Sequence, residues 1–229
     1  MKISGLEKLS LVDYPGYTCA VIFTGGCNFR CPFCHNSGLV LDDGLELSLS
    51  EVMDYLTKRK SLLDGVCVSG GEPTIQPNLV DFLKRLKEMG FKVKLDTNGT
   101  NPNVLKEILD NKLVDYVAMD IKNNFDNYSD ITGVKNLNIE NVKESVNLLL
   151  QNNVDYEFRT TLVSEYHTEA NIQKMSEELK GAKRLYLQRF VDNNNCISSN
   201  LHEIDKYTAE GFVSVLTKGV NSVSLRGYV

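Results

Sequence analysis

No run of apolar residues in this sequence approaches the ~18 that a membrane span needs, so no transmembrane helix is expected. No block of Lys and Arg is present either, and a formal net charge of −5 offers no basic field for gripping nucleic acid. Low-complexity tracts are missing, and with 42% hydrophobic and 24% charged residues the profile is that of a packed chain, not a disordered one. The opening residues Met1-Lys2-Ile3-Ser4-Gly5-Leu6-Glu7 lack the apolar core of a signal peptide, so a cytoplasmic address is the default expectation. No Pro/Gly/Ser-rich linker or break in composition divides residues 1–229, which read as a single domain. A domain of this length buries roughly 70–75% of its unfolded surface and needs no disulfide staples.

What is present, against that background, is a cluster of thiols. Three of the six cysteines, Cys27, Cys31 and Cys34, fall within eight positions. In a reducing compartment such clusters are more often metal-binding or catalytic than disulfide frameworks. Thiolates are the ligands of iron–sulfur clusters, and the spacing C-x3-C-x2-C supplies one ligand fewer than a four-iron cluster can take. The fourth iron is then left for a small molecule, as catalytic zinc keeps an open position. A structural zinc site using these thiols with His35 or a distant cysteine is the rival reading. Adjacent Cys34 and His35 would struggle to face one tetrahedral ion. Cys19 and Cys67 lie within apolar strand patterns and read as small hydrophobes. Cys196, in the run Asn193-Asn194-Asn195-Cys196, reads as an exposed loop thiol, and His167 and His202 as surface residues.

Short β-rich runs alternate with longer helical patterns. Strands are expected at 18–24, 65–69, 92–96, 116–121, 156–163 and 184–190, each bounded by Gly, Asn or Asp. Helical spacing of apolar residues marks 49–60, 78–89, 103–111, 138–152, 168–180 and a last segment near 207–218. Ser48 followed by Glu51 is a capping-box signature, and Pro102 suits a first helical turn. This alternation argues for an α/β domain with parallel strands, either a doubly wound sheet or an incomplete (β/α)6 TIM-like barrel. Polar residues close the strands: Asp96, Asp120, Arg159 and Gln188. Both architectures put active sites at that edge.

The run C-x3-C-x-aromatic-C, with Phe33 at the aromatic position, resembles the signature of the radical S-adenosylmethionine superfamily. Gly70-Gly71-Glu72-Pro73 after the second strand, Asp96-Thr97-Asn98-Gly99 after the third and Asp120-Ile121-Lys122 at the end of the fourth match the superfamily's further motifs. More narrowly, Leu9-Ser10-Leu11-Val12-Asp13-Tyr14-Pro15-Gly16 and Cys34-His35-Asn36 resemble the glycyl-radical-enzyme activases, and the likeness runs from Leu6 to about Phe190. The resemblance implies an incomplete barrel whose [4Fe–4S] cluster sits on Cys27, Cys31 and Cys34. It also implies S-adenosylmethionine chelated to the open iron and cleaved to a 5′-deoxyadenosyl radical.

Further site roles follow from the same resemblance. Gly70 and Gly71 admit close backbone approach to a ligand, and Glu72 lies near the cofactor's amino group. Lys122 and Arg159 neutralise its carboxylate or meet its ribose, while Phe33 packs over the cluster or offers backbone to adenine. Gln188 stands with the cofactor-binding set. Asp96, Thr97 and Asp120 hold, as one option, a monovalent cation, since two converging carboxylates need positive charge between them. Asp13 and His35 stand beside an incoming glycyl peptide, and His35 also beside the cofactor. Helix capping for Asp96 and Thr97, an Asx-type turn for Asp13 and a plain ion pair for Arg159 are the ordinary structural readings.

The expected function is therefore that of an activase. It would abstract hydrogen from a glycine of a partner glycyl radical enzyme, with anaerobic ribonucleoside-triphosphate reductase favoured. No second cysteine-rich insertion is present, which implies an external donor such as flavodoxin or ferredoxin. Two rivals stand beside it: a radical enzyme acting on a small molecule, like the 7-carboxy-7-deazaguanine synthases, and a non-catalytic zinc-stabilised binding module.

Overall fold

The computed structural model describes residues 1–41, 46–151, 154–192 and 195–228. Asn152, the expected end of one helix, and Asn193 and Asn194 of the expected loop lie outside the described residues. In chain order the elements are β1 (Ile3–Ser10), β2 (Cys19–Thr24), α1 (Ser37–Leu41), α2 (Leu49–Arg59), β3 (Gly65–Gly70), α3 (Leu79–Glu88), β4 (Lys92–Thr97) and α4 (Pro102–Asp110). They continue with β5 (Tyr116–Asp120), α5 (Tyr128–Thr132), α6 (Ile139–Leu150), β6 (Asp155–Leu162), α7 (Glu169–Glu178), β7 (Leu185–Arg189), α8 (Lys206–Leu216) and β8 (Val223–Arg226). Every strand and helix expected from sequence is present, with ends shifted by a residue or two.

The strands form one sheet in the order β1-β2-β3-β4-β5-β6-β7-β8. β1 runs antiparallel to β2, and all later pairs are parallel. Among the described residues no pairing joins β8 to β1, so the barrel is incomplete, as expected. β1 and β8 were not anticipated. β1 breaks its register twice and exposes Glu7 to Leu9, which blurs its alternation, and β8 is only four residues long.

Strand alternation sorts side chains between two environments. The outward set, including Ile22, Val68, Leu95, Val117, Met119, Phe158 and Leu187, is buried in the main core under the helices. The inward face carries Cys67, Lys94, Asp96, Asp120, Glu157 and Arg159. Arg159 on β6 reaches Asp96 on β4 across the intervening β5, which requires the sheet to curve toward this face. The helices are fastened as their sequences indicate. Ser48 and Glu51 form the capping box of α2, and Pro102 opens α4. On α3, Leu79, Phe82, Leu83 and Leu86 are buried on one side.

Candidate active site

At the C-terminal ends of the parallel strands lies a cavity of about 310 Å³. Its wall contains each residue singled out from the sequence: Asp13, Cys27, Cys31, Phe33, Cys34, His35, Gly70, Gly71, Glu72, Asp96, Thr97, Asp120, Lys122, Arg159 and Gln188. It also contains Asn36 and Asn98 from the Cys34-His35-Asn36 and Asp96-Thr97-Asn98-Gly99 runs, and Phe23, Phe29, Val40, Ser69 and Thr161, which sequence reasoning passed over. Of these, Ser69 had a readable signal. It stands two positions after Cys67, on the same face of β3.

The cysteine loop leaves β2 and is held by its neighbours. The Glu72 N–H donates to the Gly26 carbonyl at 2.9 Å, and the Arg30 N–H to the Thr132 carbonyl at 2.8 Å. The Asn28 side chain donates to the Thr100 hydroxyl at 2.7 Å and accepts from the Asn98 amide at 2.8 Å. All three thiols are free. Burial pushes the Cys27 thiol up to about 11 and the Cys31 thiol up to about 12, so metal loading must displace their protons.

The Gly70-Gly71 pair has a specific steric cause. A Cβ on Gly71 would lie 1.9 Å from the Gly26 carbonyl oxygen, and one on Gly70, at φ +123°, 2.2 Å from the Thr24 nitrogen. Gly71 thus packs on the cysteine loop and Gly70 on the end of β2. Glu72 is 1% exposed and ties the same turn to β4. Its Oε1 accepts from the Thr74 N–H at 3.0 Å, the Thr74 hydroxyl and the Thr97 hydroxyl at 2.7 Å, while Oε2 accepts from the Asn98 N–H at 2.6 Å. Burial nevertheless keeps its pKa raised. Thr97 therefore serves Glu72 rather than a helix cap, and the cap of α4 is Asn101.

Charge converges at the cavity floor. Arg159 Nε donates to Asp120 at 2.9 Å and its NH1 group to Asp96 at 3.2 Å, so the guanidinium bridges two carboxylates. Lys122 Nζ meets Asp120 at 2.9 Å and lies 5.8 Å from the centre of the Phe33 ring. Lys94, unnoticed in the sequence, pairs with Asp96 from beneath. Burial opposes ionisation of Asp120, but Arg159 and then Lys122 outweigh it and hold the carboxyl well below its ordinary range. The two carboxylates are thus met by three cationic side chains, Lys94, Lys122 and Arg159.

Several readings need correction. His167 is not a surface residue. It is 3% exposed, with Nδ1 3.1 Å from the Val163 carbonyl and Nε2 2.9 Å from the Lys122 carbonyl, so it braces the backbone behind Lys122. His202 is exposed, as expected, and faces Glu165 at 2.6 Å. Cys196 is half-buried against the core. Cys67 is fully buried, but beside Lys94 at 3.6 Å and Asp96 at 3.7 Å rather than among aliphatics alone. The turn at Asp13 is not an Asx turn: the Ser10 hydroxyl accepts from the Val12 and Asp13 N–H groups at 3.2 Å and donates to the Asp13 carboxylate.

The donor set suits an iron–sulfur cluster, whose ligands are thiolates. A second observation points the same way. His35 Nε2, beside Cys34 in the cavity wall, is buried with no hydrogen-bond partner among the described residues, although the ring packs 5.5 Å from Phe190. Such an orphaned group fits a site completed by something other than the chain.

Comparison with known proteins agrees. Residues 21–179 match the family model of the radical SAM superfamily. Over 195 residues the chain is 37% identical to a candidate glycyl-radical enzyme activating enzyme of Methanocaldococcus jannaschii, covering 82% of this chain and 79% of that protein. It is 40% identical over 139 residues to the pyruvate formate-lyase-activating enzyme of Clostridium pasteurianum, covering 58% of this chain and 57% of that one. The fold also resembles that of SuiB from Streptococcus suis bound to S-adenosylmethionine, with a TM-score of 0.69 at 11% identity over 88% of this chain and 48% of SuiB. A non-catalytic zinc module is set aside by these matches. The matched superfamily implies a [4Fe–4S] cluster and S-adenosylmethionine, and Cys27, Cys31 and Cys34 fit the cluster's demand for thiolates. The chain belongs to the radical S-adenosylmethionine superfamily, among its glycyl-radical-enzyme activating enzymes.

Proposed function

We propose that this enzyme installs a glycyl radical on a partner protein by removing hydrogen from a glycine Cα, and that the partner is an anaerobic ribonucleoside-triphosphate reductase. The observation that carries the reading is the single cavity in which three free thiols, the Arg159-bridged carboxylates and Asp13 of the β1–β2 turn share one wall. The two similar relatives carry activase names, which supports the protein-substrate class. Among the described residues β1 and β8 do not pair with each other, and that gap supports entry of an extended segment.

In this reading Cys27, Cys31 and Cys34 hold the cluster. That cluster, when bound, would supply the single electron for reductive cleavage of S-adenosylmethionine. Arg159 and Lys122 would meet the cofactor's carboxylate, and Glu72, held by its four donors, would serve the amino group. Gln188 and Phe33 border the nucleoside, with the cavity wall excluding stray hydrogen donors. Asp13, exposed at the rim, and His35 orient the glycine loop. A monovalent cation at Asp96, Thr97 and Asp120 would have to share carboxylates already paired with Lys94, Lys122 and Arg159. The electron comes from a flavodoxin or ferredoxin, and the protein works in the cytoplasm.

The test is anaerobic reconstitution followed by incubation with S-adenosylmethionine and the candidate reductase. A glycyl radical doublet in electron paramagnetic resonance, with 5′-deoxyadenosine formed, is the expected result. Formation of 5′-deoxyadenosine with no radical on the reductase or on pyruvate formate-lyase would refute the activase reading and favour a small-molecule substrate.

A further inference from the structure

Alternation along β4 turns Lys94 into the lumen two residues before Asp96. Its side chain is 3% exposed and its ammonium pairs with Asp96 Oδ1. The other Asp96 oxygen accepts from the Ser69 hydroxyl at 3.0 Å and from Arg159 at 3.2 Å, so both oxygens are engaged. Burial works against the charge of Lys94, but Asp96 and then Cys67 more than reverse it, and the ammonium stays protonated. Burial works against the carboxylate of Asp96 too, and Arg159 and Lys94 overcome it.

A charge count gives this arrangement a purpose. Lys94, Lys122 and Arg159 stand against Asp96 and Asp120, three positive groups to two negative. Of the other acids on this face, Glu157 is held by a two-pronged contact with Arg226 at 2.8 and 2.9 Å and Glu72 by four uncharged donors, with burial raising its pKa, while Asp13 stands exposed at the rim. Without Lys94 the balance is two against two, and Arg159 alone must neutralise Asp96 while also serving Asp120. Any anionic group entering the cavity would then meet an undercompensated carboxylate in a setting where charges are poorly screened.

We propose that Lys94 is a positioning residue for S-adenosylmethionine: it neutralises Asp96 from beneath, so that Arg159 can face the cofactor's carboxylate. The inference rests on the reading that this cavity binds S-adenosylmethionine. Lys94 need not touch the cofactor. It acts through Asp96 and Arg159, and its removal selectively weakens binding of the ligand's negatively charged end.

The experiment compares wild type, Lys94→Met and Lys94→Gln, each reconstituted anaerobically and matched for iron and sulfide content. Dissociation constants are measured by equilibrium dialysis for S-adenosylmethionine and for 5′-methylthioadenosine, which has the nucleoside but no carboxylate. The expected result is roughly tenfold or greater weakening for S-adenosylmethionine, from one uncompensated buried charge, with 5′-methylthioadenosine unchanged. Unchanged affinity for S-adenosylmethionine, or equal losses for both ligands, overturns the inference. Failure of both variants to hold the cluster also overturns it, because Lys94 is then a structural residue. If wild type binds 5′-methylthioadenosine but not S-adenosylmethionine, the cofactor reading itself falls, a result distinct from any difference between variants.

Discussion

Alanine in place of Gly71 tests whether the Gly-Gly pair serves the ligand or the chain. The added methyl would sit 1.9 Å from the Gly26 oxygen and 2.5 Å from its carbonyl carbon, both main-chain atoms that no rotamer change can move. Relief therefore requires the β3 exit to lift from the cysteine loop, which also breaks the 2.9 Å Glu72 N–H to Gly26 bond. Overpacking costs about 1–3 kcal/mol and a lost hydrogen bond about 1 kcal/mol, so Gly71→Ala should lose about 3 kcal/mol. For a chain of this size that corresponds to a fall in Tm of about 6–12 °C. Gly26→Ala is the control. Gly26 has φ +84° and open space around its missing Cβ, so only the left-handed backbone penalty of about 1–2 kcal/mol applies. Thermal unfolding of the two cluster-loaded variants, read by circular dichroism under anaerobic conditions, separates them. Equal destabilisation, or a Gly71→Ala protein as stable as wild type, refutes the steric argument.

Serine at Cys31, which is 7% exposed and centrally placed in the loop, should abolish retention of a four-iron cluster and formation of 5′-deoxyadenosine; iron analysis showing full occupancy with unchanged turnover would contradict the ligand assignment. Arg159→Met leaves Asp96 with Lys94 and Asp120 with Lys122, so the loss should fall near the lower end of the roughly 3–5 kcal/mol seen when a buried ion pair is broken. A denaturant midpoint equal to wild type would show that the bridge contributes nothing. Glu178, which accepts the Phe125 N–H at 3.0 Å, is pushed up to about 7 by burial. The folded state therefore keeps a proton that the unfolded chain releases near its ordinary value, and stability falls as pH rises from about 4.5 to 7, by about 1 kcal/mol once solvent screening of this half-buried group is allowed for. Glu178→Gln should flatten that slope in parallel unfolding titrations, and an unaltered slope would locate the effect elsewhere.

Much of the site could be read without coordinates because each strand ends in chemistry. Asp96, Asp120 and Gln188 were legible as polar residues at or next to strand ends, while Arg159, expected at such an end, lies within β6; the cysteine loop followed the first expected strand. Lys94 was missed although its signal was present. It stands two positions before Asp96, and period-two alternation puts both on one face. The role of Glu72 was obscured for a different reason: its four donors come from the β3 turn and the end of β4, a meeting that only the tertiary fold arranges. His167 was misread because its burial depends on the Val163 and Lys122 carbonyls, which no local spacing announces. The short helices α1 and α5, five residues each, carry too little periodicity to register.

The inward face of the sheet raises a question that stability alone does not answer. Lys94, Asp96, Asp120, Lys122 and Arg159 are all partly or wholly withdrawn from water, and well-packed apolar residues of similar volume are often at least as stable as such pairs. The outward face follows that apolar rule, with Leu95, Val117, Met119 and Phe158 buried under helices. Within β4 the two regimes alternate residue by residue, since Leu95 separates Lys94 from Asp96. The charged set is thus confined to the face that lines the cavity, where a ligand with both ammonium and carboxylate groups would need fixed partners of both signs. Buried charges held by one another do not have to reorganise when such a ligand arrives, and that preorganisation is what the inward face gains over an apolar lumen.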